Sequence, residues 1–144
     1  MAILVTGGTG YIGSHTCVEL IKSGYEPVIV DDLSNSKADV VDKIEKITGK
    51  RPKFYCAGVQ DADAMRKVFS ENSIDAVIHF AAFKAVGESV RFPLKYYRNN
   101  ISGTVSLCAI MNEFGCKRIV FSSSATVYGS PKSVPIREDF PLST

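Results

Sequence analysis

Short apolar runs of strand length recur along the chain and alternate with longer segments of helical periodicity. The apolar runs cover residues 3–6, 28–31, 53–56, 76–80 and 118–122. In the segments between them, apolar residues return every three or four positions, which is the spacing of one helical face. The pattern therefore predicts five strands that are separated by helices.

Four helices are predicted, and each has an apolar stripe. The first covers residues 11–23 and ends before Gly24, the second ends at Gly49, and the fourth runs from about residue 93 to Gly115. Glycine is typical of a helix C-terminus, because it adopts left-handed backbone angles without strain. The predicted stripes are Gly13, Cys17 and Leu20; Val40, Ile44 and Ile47; Met65, Val68 and Phe69; and Ile101, Val105 and Cys108.

This alternation determines the expected fold class. Strands that are separated by helices of this length cannot pair as hairpins, so they should lie parallel, with right-handed crossovers that put helices on both faces of the sheet. The predicted class is α/β, a doubly wound parallel sheet of the Rossmann type. Residues 1–144, with 45% hydrophobic types, suit a single domain. Residues 129–144 are rich in Pro and Ser and are predicted to be loop.

Composition excludes several classes of protein. The formal net charge is +2 and no basic run with interleaved aromatics occurs, so nucleic acid is not an expected partner. The apolar start, residues 2–5, is too short for a signal peptide or a membrane span. We therefore expect a cytoplasmic protein without membrane association. The four cysteines lack metal-ligand spacing, which predicts no metal site and reduced cysteines that pack in the core.

A glycine cluster between the first strand and the first helix is the most informative motif. Gly7 and Gly10 let the backbone turn sharply and approach a pyrophosphate, and Gly13 lets the helix pack closely on the sheet. The N-terminus of the helix then offers N–H groups and a partial positive charge to phosphates. The alternative interpretation is that these glycines only form a tight strand-to-helix turn.

Asp31 favours the first of these interpretations. It closes the second strand, where a carboxylate can accept hydrogen bonds from the adenosine ribose hydroxyls of a dinucleotide. A negative charge there repels a 2′-phosphate, so the expected cofactor is NAD and not NADP. For the neighbouring Asp32, a solvated loop acid and a ligand role are equally consistent with the sequence.

Four stretches carry a resemblance to a known family. They are residues 6–15 (TGGTGYIGSH), 79–89 (HFAAFKAVGES), 96–100 (YYRNN) and 121–129 (FSSSATVYG). Together they closely resemble the UDP-glucose 4-epimerases of the extended short-chain dehydrogenase type, and the resemblance covers essentially the whole chain. The glycine motif is shared by that whole type, whereas the KAVGES and SSATVYG strings are more specific to the epimerases.

The resemblance implies a set of cofactor-binding residues. Those expected at the pyrophosphate and adenosine are Tyr11, Ile12, Asp31, Asn35 and Ser36, in addition to the glycines. Those expected along the rest of the cofactor are Phe80, Ala81, Ala82, Lys84 and Asn99, with Ser122 by the nicotinamide. Gly58 and Val59 are expected near the adenine, although relatives commonly carry an aspartate at position 58, so the adenine contacts are expected either to be weaker or to pass to backbone groups. Lys84 has the alternative role of a plain surface lysine.

The resemblance also implies sugar-binding residues. Ser124 is the candidate catalytic residue, because its hydroxyl can hold a sugar hydroxyl while a proton leaves it; Lys84, Ala125 and Thr126 are expected nearby. From the residues alone, Ser124 is also explained as a polar strand end. His79 lies in an apolar strand and is predicted to be a core histidine. The pair at positions 96 and 97 is predicted to pack, with a subunit interface as the alternative.

The activity that the resemblance implies is NAD-dependent epimerisation at carbon 4 of a UDP-hexose, UDP-galactose to UDP-glucose, in a homodimer. The family's base is a tyrosine in a Tyr-x-x-x-Lys helix. Tyr128 and Lys132 have this spacing, but Lys132 falls in the predicted loop and Tyr128 does not match the family's catalytic tyrosine, so the catalytic pair is expected to be missing. The chain alone is therefore expected to be inactive, a portion of a longer protein without its later strands and substrate domain. The alternatives are a non-catalytic NAD-binding fragment and a related nucleotide-sugar 4,6-dehydratase or decarboxylase; acceptance of N-acetylated sugars is left open.

Overall fold

A computed structural model describes residues 1–143 and contains a five-stranded parallel sheet. Thr144, the last residue of the predicted C-terminal loop, lies outside the described residues. The strands are β1 (Ala2–Thr6), β2 (Glu26–Asp31), β3 (Lys53–Cys56), β4 (Ile74–His79) and β5 (Ile119–Phe121). All five predicted strands are therefore confirmed, with bounds that differ by no more than two residues at either end.

The strand order is β3-β2-β1-β4-β5, and every neighbouring pair is parallel. The central strand β1 pairs with β2 on one side and β4 on the other, so that Val5 stands beside both Ile29 and Ile78. The chain thus winds outward first in one direction and then in the other. This confirms the doubly wound α/β class, and it creates a switch point between the carboxyl ends of β1 and β4.

Helices cover both faces of the sheet. They are α1 (Tyr11–Lys22), α2 (Asp39–Thr48), α3 (Ala62–Glu71), α4 (Val86–Arg91), α5 (Pro93–Tyr96) and α6 (Gly103–Glu113). Successive residues of β1 point to opposite faces: Leu4 joins a cluster with Val68 of α3 and Leu107 of α6, while Val5 joins one with Cys17 of α1. The sequence order thus places α1 and α2 on one face and α3 and α6 on the other.

Three of the predicted helical stripes are largely confirmed. Cys17 and Ile44 are buried, and so is the whole predicted stripe of α3. Burial raises the pKa of the Cys17 thiol to about 12, because the apolar surroundings disfavour the thiolate. Ile47 is an exception, since it is exposed at the end of α2.

The stripe predicted for the fourth helix is wrong. Ile101, Val105 and Cys108 are exposed, and the buried face of α6 consists of Gly103, Leu107, Ile110 and Met111. The segment is apolar on both sides, so its periodicity does not identify the face that meets the sheet. A π-helical stretch, Tyr97–Ser102, also joins α5 to α6 and changes the phase of the stripe by adding a residue to the turn.

The edge strand β5 also exposes apolar surface. All three of its residues are exposed, although a parallel strand is normally covered on both faces. The expectation that helices cover both faces thus holds for the inner strands and not for this edge. Two of the four cysteines, Cys56 and Cys108, are exposed as well, so the prediction that the cysteines pack in the core is correct only for Cys17 and Cys116.

His79 ties the carboxyl ends of β1 and β4 to α6. Its Nδ1 lies 2.6 Å from Thr6 Oγ1, and its Nε2 lies 2.9 Å from Thr104 Oγ1. The Thr104 hydroxyl donates to the Asn100 carbonyl at 2.7 Å, so it accepts from Nε2–H and leaves Nδ1 to accept from Thr6. The ring is therefore the neutral Nε2–H tautomer, which confirms a core histidine. Among residues 1–143 no helix is long and apolar enough to span a membrane.

The corrected face of α6 predicts a contrast between two apolar residues of the same helix. Leu107→Ala should lower the free energy of unfolding by about 3 kcal/mol, because it leaves a cavity beneath the sheet. Val105→Ala should change it by less than about 0.5 kcal/mol, because its side chain is exposed. Urea denaturation of both variants measures the difference, and equal losses would mean that the buried face has been assigned incorrectly.

Burial of His79 predicts acid sensitivity. Desolvation, helped by the nearby charge of Lys84, lowers the pKa of His79 from 6.5 to about 4. Between these values the unfolded chain binds a proton that the folded chain excludes, so stability is complete above pH 6.5 and falls as the pH drops towards 4. The loss by pH 4.5 should be about 2 to 3 kcal/mol.

Urea denaturation from pH 7.5 to 4.5 tests this prediction in the original chain and in His79→Gln. The glutamine variant should be less stable at pH 7.5, because it loses part of the hydrogen-bond chain, but its stability should fall less on acidification. Parallel pH profiles for the two proteins would contradict the assignment of this acid sensitivity to His79.

Candidate functional site

A cleft of about 370 Å³ lies at the carboxyl edge of the sheet. The predicted cofactor-binding residues that line it are Gly7, Gly10, Asp31, Asn35, Ser36, Gly58, Val59, Phe80, Ala81, Ala82, Lys84 and Asn99. Asp31 ends β2 and Asn99 belongs to the π-helical stretch, whereas the others follow β1, β2, β3 and β4. The structure therefore brings together residues that are up to 92 positions apart in the sequence.

A larger hollow, about 710 Å³, lies at the opposite, amino edge and includes Tyr25, Lys53 and Asn72 among its lining residues. Ligands of doubly wound sheets bind at the carboxyl edge, where loops after the strands and helix N-termini converge. Volume is therefore a poorer guide than topology, and the smaller cleft at the switch point is the candidate site.

The glycine turn brings three backbone segments into close contact. Gly7 has φ +69°, and a Cβ there would lie 2.9 Å from the backbone nitrogen of Ala81. A Cβ on Gly13 would meet the Gly7 carbonyl oxygen. The turn therefore requires both glycines, one for the approach of β1 to the chain after β4 and the other for the entry of α1.

The N-terminus of α1 has the features of an anion site. No side chain caps it, and its first turn contains no acidic residue. The first N–H groups of a helix have no partner within the helix, and its dipole adds partial positive charge. Tyr11 and Ile12 stand in this first turn with exposed side chains, outside the lining of the cleft, and Gly13 is buried beneath them.

Asp31 is already engaged by donors of the protein. Its Oδ2 accepts from the Thr9 backbone nitrogen at 3.1 Å, and its Oδ1 accepts from the Leu33 nitrogen at 3.0 Å and the Ser36 hydroxyl at 2.9 Å. The carboxylate therefore holds the glycine turn against the loop after β2. Leu33 has φ +59°, an angle that is uncommon for a residue with a side chain, so this loop is held in a strained conformation.

The segment after β4 is clamped to the π-helical stretch. Asn100 accepts from the Phe83 nitrogen at 2.9 Å and donates to the Phe83 carbonyl at 3.0 Å. The Ala81 nitrogen donates to Thr6 Oγ1 at 3.4 Å, which connects this segment to the His79 hydrogen-bond chain. Ala81 and Ala82 are thus fixed in position, with small side chains that leave the cleft open. Lys84 lines the cleft with an exposed side chain.

An ionic cluster at the cleft was not identified from the sequence. Glu88 accepts from Lys95 Nζ at 2.7 Å and from the Tyr96 hydroxyl at 2.8 Å. The bond from Lys95, followed by the bond from Tyr96, lowers the pKa of Glu88. The pKa of Tyr96 is raised first by burial and then by its bond to Glu88. Lys95 and Tyr96 lie seven and eight residues after Glu88, so the two bonds connect α4 to α5. The sequence did not predict α4. Tyr96 is buried, as the packing prediction requires, and Tyr97 is exposed.

Of the predicted sugar-binding residues, only Lys84 lines this cleft, and Ser122, which is predicted to lie by the nicotinamide, is also absent from its lining. Ser122 follows β5, and Ser124 caps a 3₁₀ turn, Ala125–Tyr128, in which its Oγ lies 2.8 Å from Thr126 Oγ1. Ser124, Ala125 and Thr126 are exposed and do not line the cleft. Their roles, like that of Ser122, stay predictions. Within residues 1–143 no group of acids, histidines and cysteines is arranged to hold a metal ion.

Comparison with known proteins identifies relatives that match nearly the full length of this chain. A family model described as GDP-mannose 4,6 dehydratase matches residues 4–144. The UDP-glucose 4-epimerase of Bacillus subtilis (strain 168) is 63% identical over 142 residues, which are 99% of this chain and 42% of that protein. The chain thus spans about two fifths of the length of the curated relatives that it matches.

Solved structures agree with the sequence comparison. The Bifidobacterium longum UDP-glucose 4-epimerase, in complex with NAD⁺ and UDP, superposes with a TM-score of 0.94 at 49% identity over 99% of this chain and 43% of that one. The Stenotrophomonas maltophila enzyme, with bound NAD and formylated UDP-arabinopyranose, has a TM-score of 0.93 at 50% identity over the same shares. The chain therefore belongs to the GDP-mannose 4,6-dehydratase family of extended short-chain dehydrogenases, and within it resembles the UDP-glucose 4-epimerases.

Proposed function

We propose that this chain is an NAD-binding unit. We also propose that the full-length protein epimerises a UDP-hexose at carbon 4. The observation that carries the proposal is the meeting of an uncapped helix N-terminus and Asp31 at one cleft. An uncapped N-terminus suits a pyrophosphate, and a carboxylate one strand away suits a ribose diol. Relatives at 49–50% identity that are solved with NAD support the same ligand.

The residues of the cleft fit the two ends of NAD. The glycine turn and the first turn of α1 bind the pyrophosphate, and Asp31, Asn35 and Ser36 hold the adenosine ribose. Gly58 and Val59 lie beside the adenine. On the other side of the switch point, the small side chains of Ala81 and Ala82 leave room for the nicotinamide half of the cofactor.

The remaining cofactor contacts of the proposal come from the segment after β4 and from β5. Lys84 contacts both cofactor and sugar, Asn99 approaches the nicotinamide ribose, and Ser122 lies by the nicotinamide. Phe80 completes the lining of the cleft. Tyr11 and Ile12 contribute backbone N–H groups, so the exposure of their side chains agrees with this role.

Bound NAD supplies a hydride acceptor and donor for carbon 4 of the sugar. Ser124 of this chain holds the 4-hydroxyl and passes on its proton, with Ala125 and Thr126 packed beside the sugar. A hydroxyl alone is a weak base at neutral pH, so the full reaction needs a stronger base in addition to Ser124. UDP-galactose and UDP-glucose are the proposed substrates, and a homodimer in the cytoplasm is the proposed state of the full protein.

Replacement of Asp31 tests the binding proposal. Asp31→Ala should raise the dissociation constant of NAD about 30-fold or more, because hydrogen bonds to a charged group contribute about 1.5–3 kcal/mol each. It should weaken NADP binding far less, because the variant also loses the repulsion of the 2′-phosphate. Isothermal titration calorimetry with both cofactors measures the two changes.

The matched control is Asp32→Ala, which removes the same charge one residue further along the loop. It should leave the preference for NAD over NADP intact. Because Asp31 also holds Thr9 and Ser36, the stability of each variant is measured alongside. An unaltered NAD/NADP ratio in a folded Asp31→Ala protein would refute the proposed ribose contact.

The epimerase proposal is tested on the full-length protein. Purified without added cofactor and given UDP-galactose, it should form UDP-glucose, because NAD that is regenerated in each cycle stays bound. Ser124→Ala should lower kcat about 100-fold with little change in KM, as expected for loss of a proton-transfer contact made at the reacting hydroxyl. Chromatography of the nucleotide sugars measures both.

Release of water and formation of a 4-keto-6-deoxy sugar would instead indicate a 4,6-dehydratase, and release of carbon dioxide from a UDP-uronic acid would indicate a decarboxylase. Bound NAD without turnover of any nucleotide sugar would indicate that the protein binds the cofactor without catalysing a reaction on these sugars. Each of these outcomes contradicts the epimerase proposal without affecting the Asp31 experiment.

A further inference from the structure

Two lysines line the side of the cleft beyond β4, and the protein engages them differently. The Lys95 ammonium donates to Glu88 Oε1 at 2.7 Å and lies 4.9 Å from the centroid of the Phe83 ring. The Lys84 ammonium forms no hydrogen bond or ion pair in the described part of the chain, residues 1–143. Lys84 is therefore available for its proposed contact with NAD, on which this inference rests.

The position of Lys84 in the sequence makes this freedom unexpected. Glu88 follows it by four residues, and Ala85 between them is the N-cap of α4. Four residues are about one turn of helix, a spacing at which lysine and glutamate side chains commonly pair. Burial first, and then the charge of Lys84, lower the pKa of His79 to about 4. The Lys84 ammonium thus lies near the carboxyl end of β4 and is not paired with Glu88.

The Tyr96 hydroxyl engages the second oxygen of Glu88. It donates to Oε2 at 2.8 Å, while Lys95 holds Oε1. Tyr96 is buried, and its ring packs against Phe83 with centroids 5.5 Å apart, so the direction of the hydroxyl is fixed by packing. Both oxygens of the carboxylate therefore have a donor on α5, the helix that faces away from Lys84 along the chain.

We propose that Tyr96 is a positioning residue, whose hydroxyl holds the Glu88 carboxylate against α5 and so keeps Lys84 free for the nicotinamide half of the cofactor. Without this hydroxyl, Glu88 Oε2 loses its donor, and a carboxylate oxygen in that state attracts an unpaired ammonium. Lys84 supplies that ammonium from one turn before, and its charge is then withdrawn from the cleft. The simpler alternative is that the Tyr96 bond only fastens α4 to α5.

The first test compares NAD with ADP, which has the adenosine and phosphates but lacks the nicotinamide half. Tyr96→Phe removes the hydroxyl and keeps the ring. It should raise the dissociation constant of NAD about tenfold, the loss expected when a charged donor is withdrawn from a ligand. The dissociation constant of ADP should stay within about twofold, which also shows that the cleft remains folded. Isothermal titration calorimetry of the whole chain gives both constants.

Tyr97→Phe is the matched control, because it removes the same atom from the neighbouring tyrosine, whose side chain is exposed. It should change neither dissociation constant. The stability of each variant in urea is measured alongside, so that a loss of binding is not confused with a loss of folding.

Two backgrounds separate the proposed role from simple fastening. In the Lys84→Met background, Tyr96→Phe should have no further effect on NAD binding, because no ammonium is left to withdraw. In the Glu88→Gln background its effect should also be small, because a neutral amide does not attract the ammonium. The double variant Tyr96→Phe/Glu88→Gln should therefore bind NAD more tightly than Tyr96→Phe, by more than Glu88→Gln gains alone.

An undiminished effect of Tyr96→Phe in the Lys84→Met background would mean that the bond only fastens α4 to α5, and it would overturn the inference. Unchanged NAD binding by Tyr96→Phe would also overturn it, since Glu88 would then have found another donor, such as Arg91 of α4. Equal weakening of NAD and ADP would do the same and leave the proposed NAD site intact. An original chain that folds but binds no NAD would overturn the proposed function together with the inference.

Discussion

The close approach of three backbone segments at the end of β1 is the constraint on which the site depends. Gly7 passes within reach of the Ala81 backbone, and Gly13 packs against the Gly7 carbonyl. A side chain at either position would separate α1 from the sheet or β1 from the segment after β4. The uncapped start of α1 and the small residues Ala81 and Ala82 would then no longer face one cleft.

Hydrogen bonds on either side of this contact keep the cleft in shape. On one side, Asp31 joins the Thr9 nitrogen to the loop after β2. On the other, the neutral ring of His79 joins Thr6 to Thr104, and Asn100 joins the π-helical stretch to Phe83. Because buried polar groups of this kind are costly when they lose a partner, each chain of bonds holds its loop in one position.

The sequence predicts best those features that one strand or one turn determines. Central parallel strands are buried on both faces and therefore appear as continuous apolar runs, and the glycine turn follows from local backbone geometry. The face of α6 and the Glu88–Tyr96 bond depend on tertiary packing: α6 is apolar all round, and Glu88 meets Tyr96 only through the bend between α4 and α5. Ser124 and Thr126 follow the outer strand β5, and the local sequence pattern does not predict their position relative to the cleft.

Engagement of Asp31 by the protein also limits how strongly the ribose of the proposed NAD complex can bind. A carboxylate has about four acceptor sites, and the Thr9, Leu33 and Ser36 donors already use three of them. A ribose diol that donates both hydroxyls must therefore displace one donor. Ser36 is the least costly to displace, because its hydroxyl keeps Thr9 Oγ1 as a partner at 2.7 Å, whereas the Thr9 and Leu33 amides would be left without one. Binding is thus an exchange of one hydroxyl for two, and its net gain is close to a single hydrogen bond to a charged group.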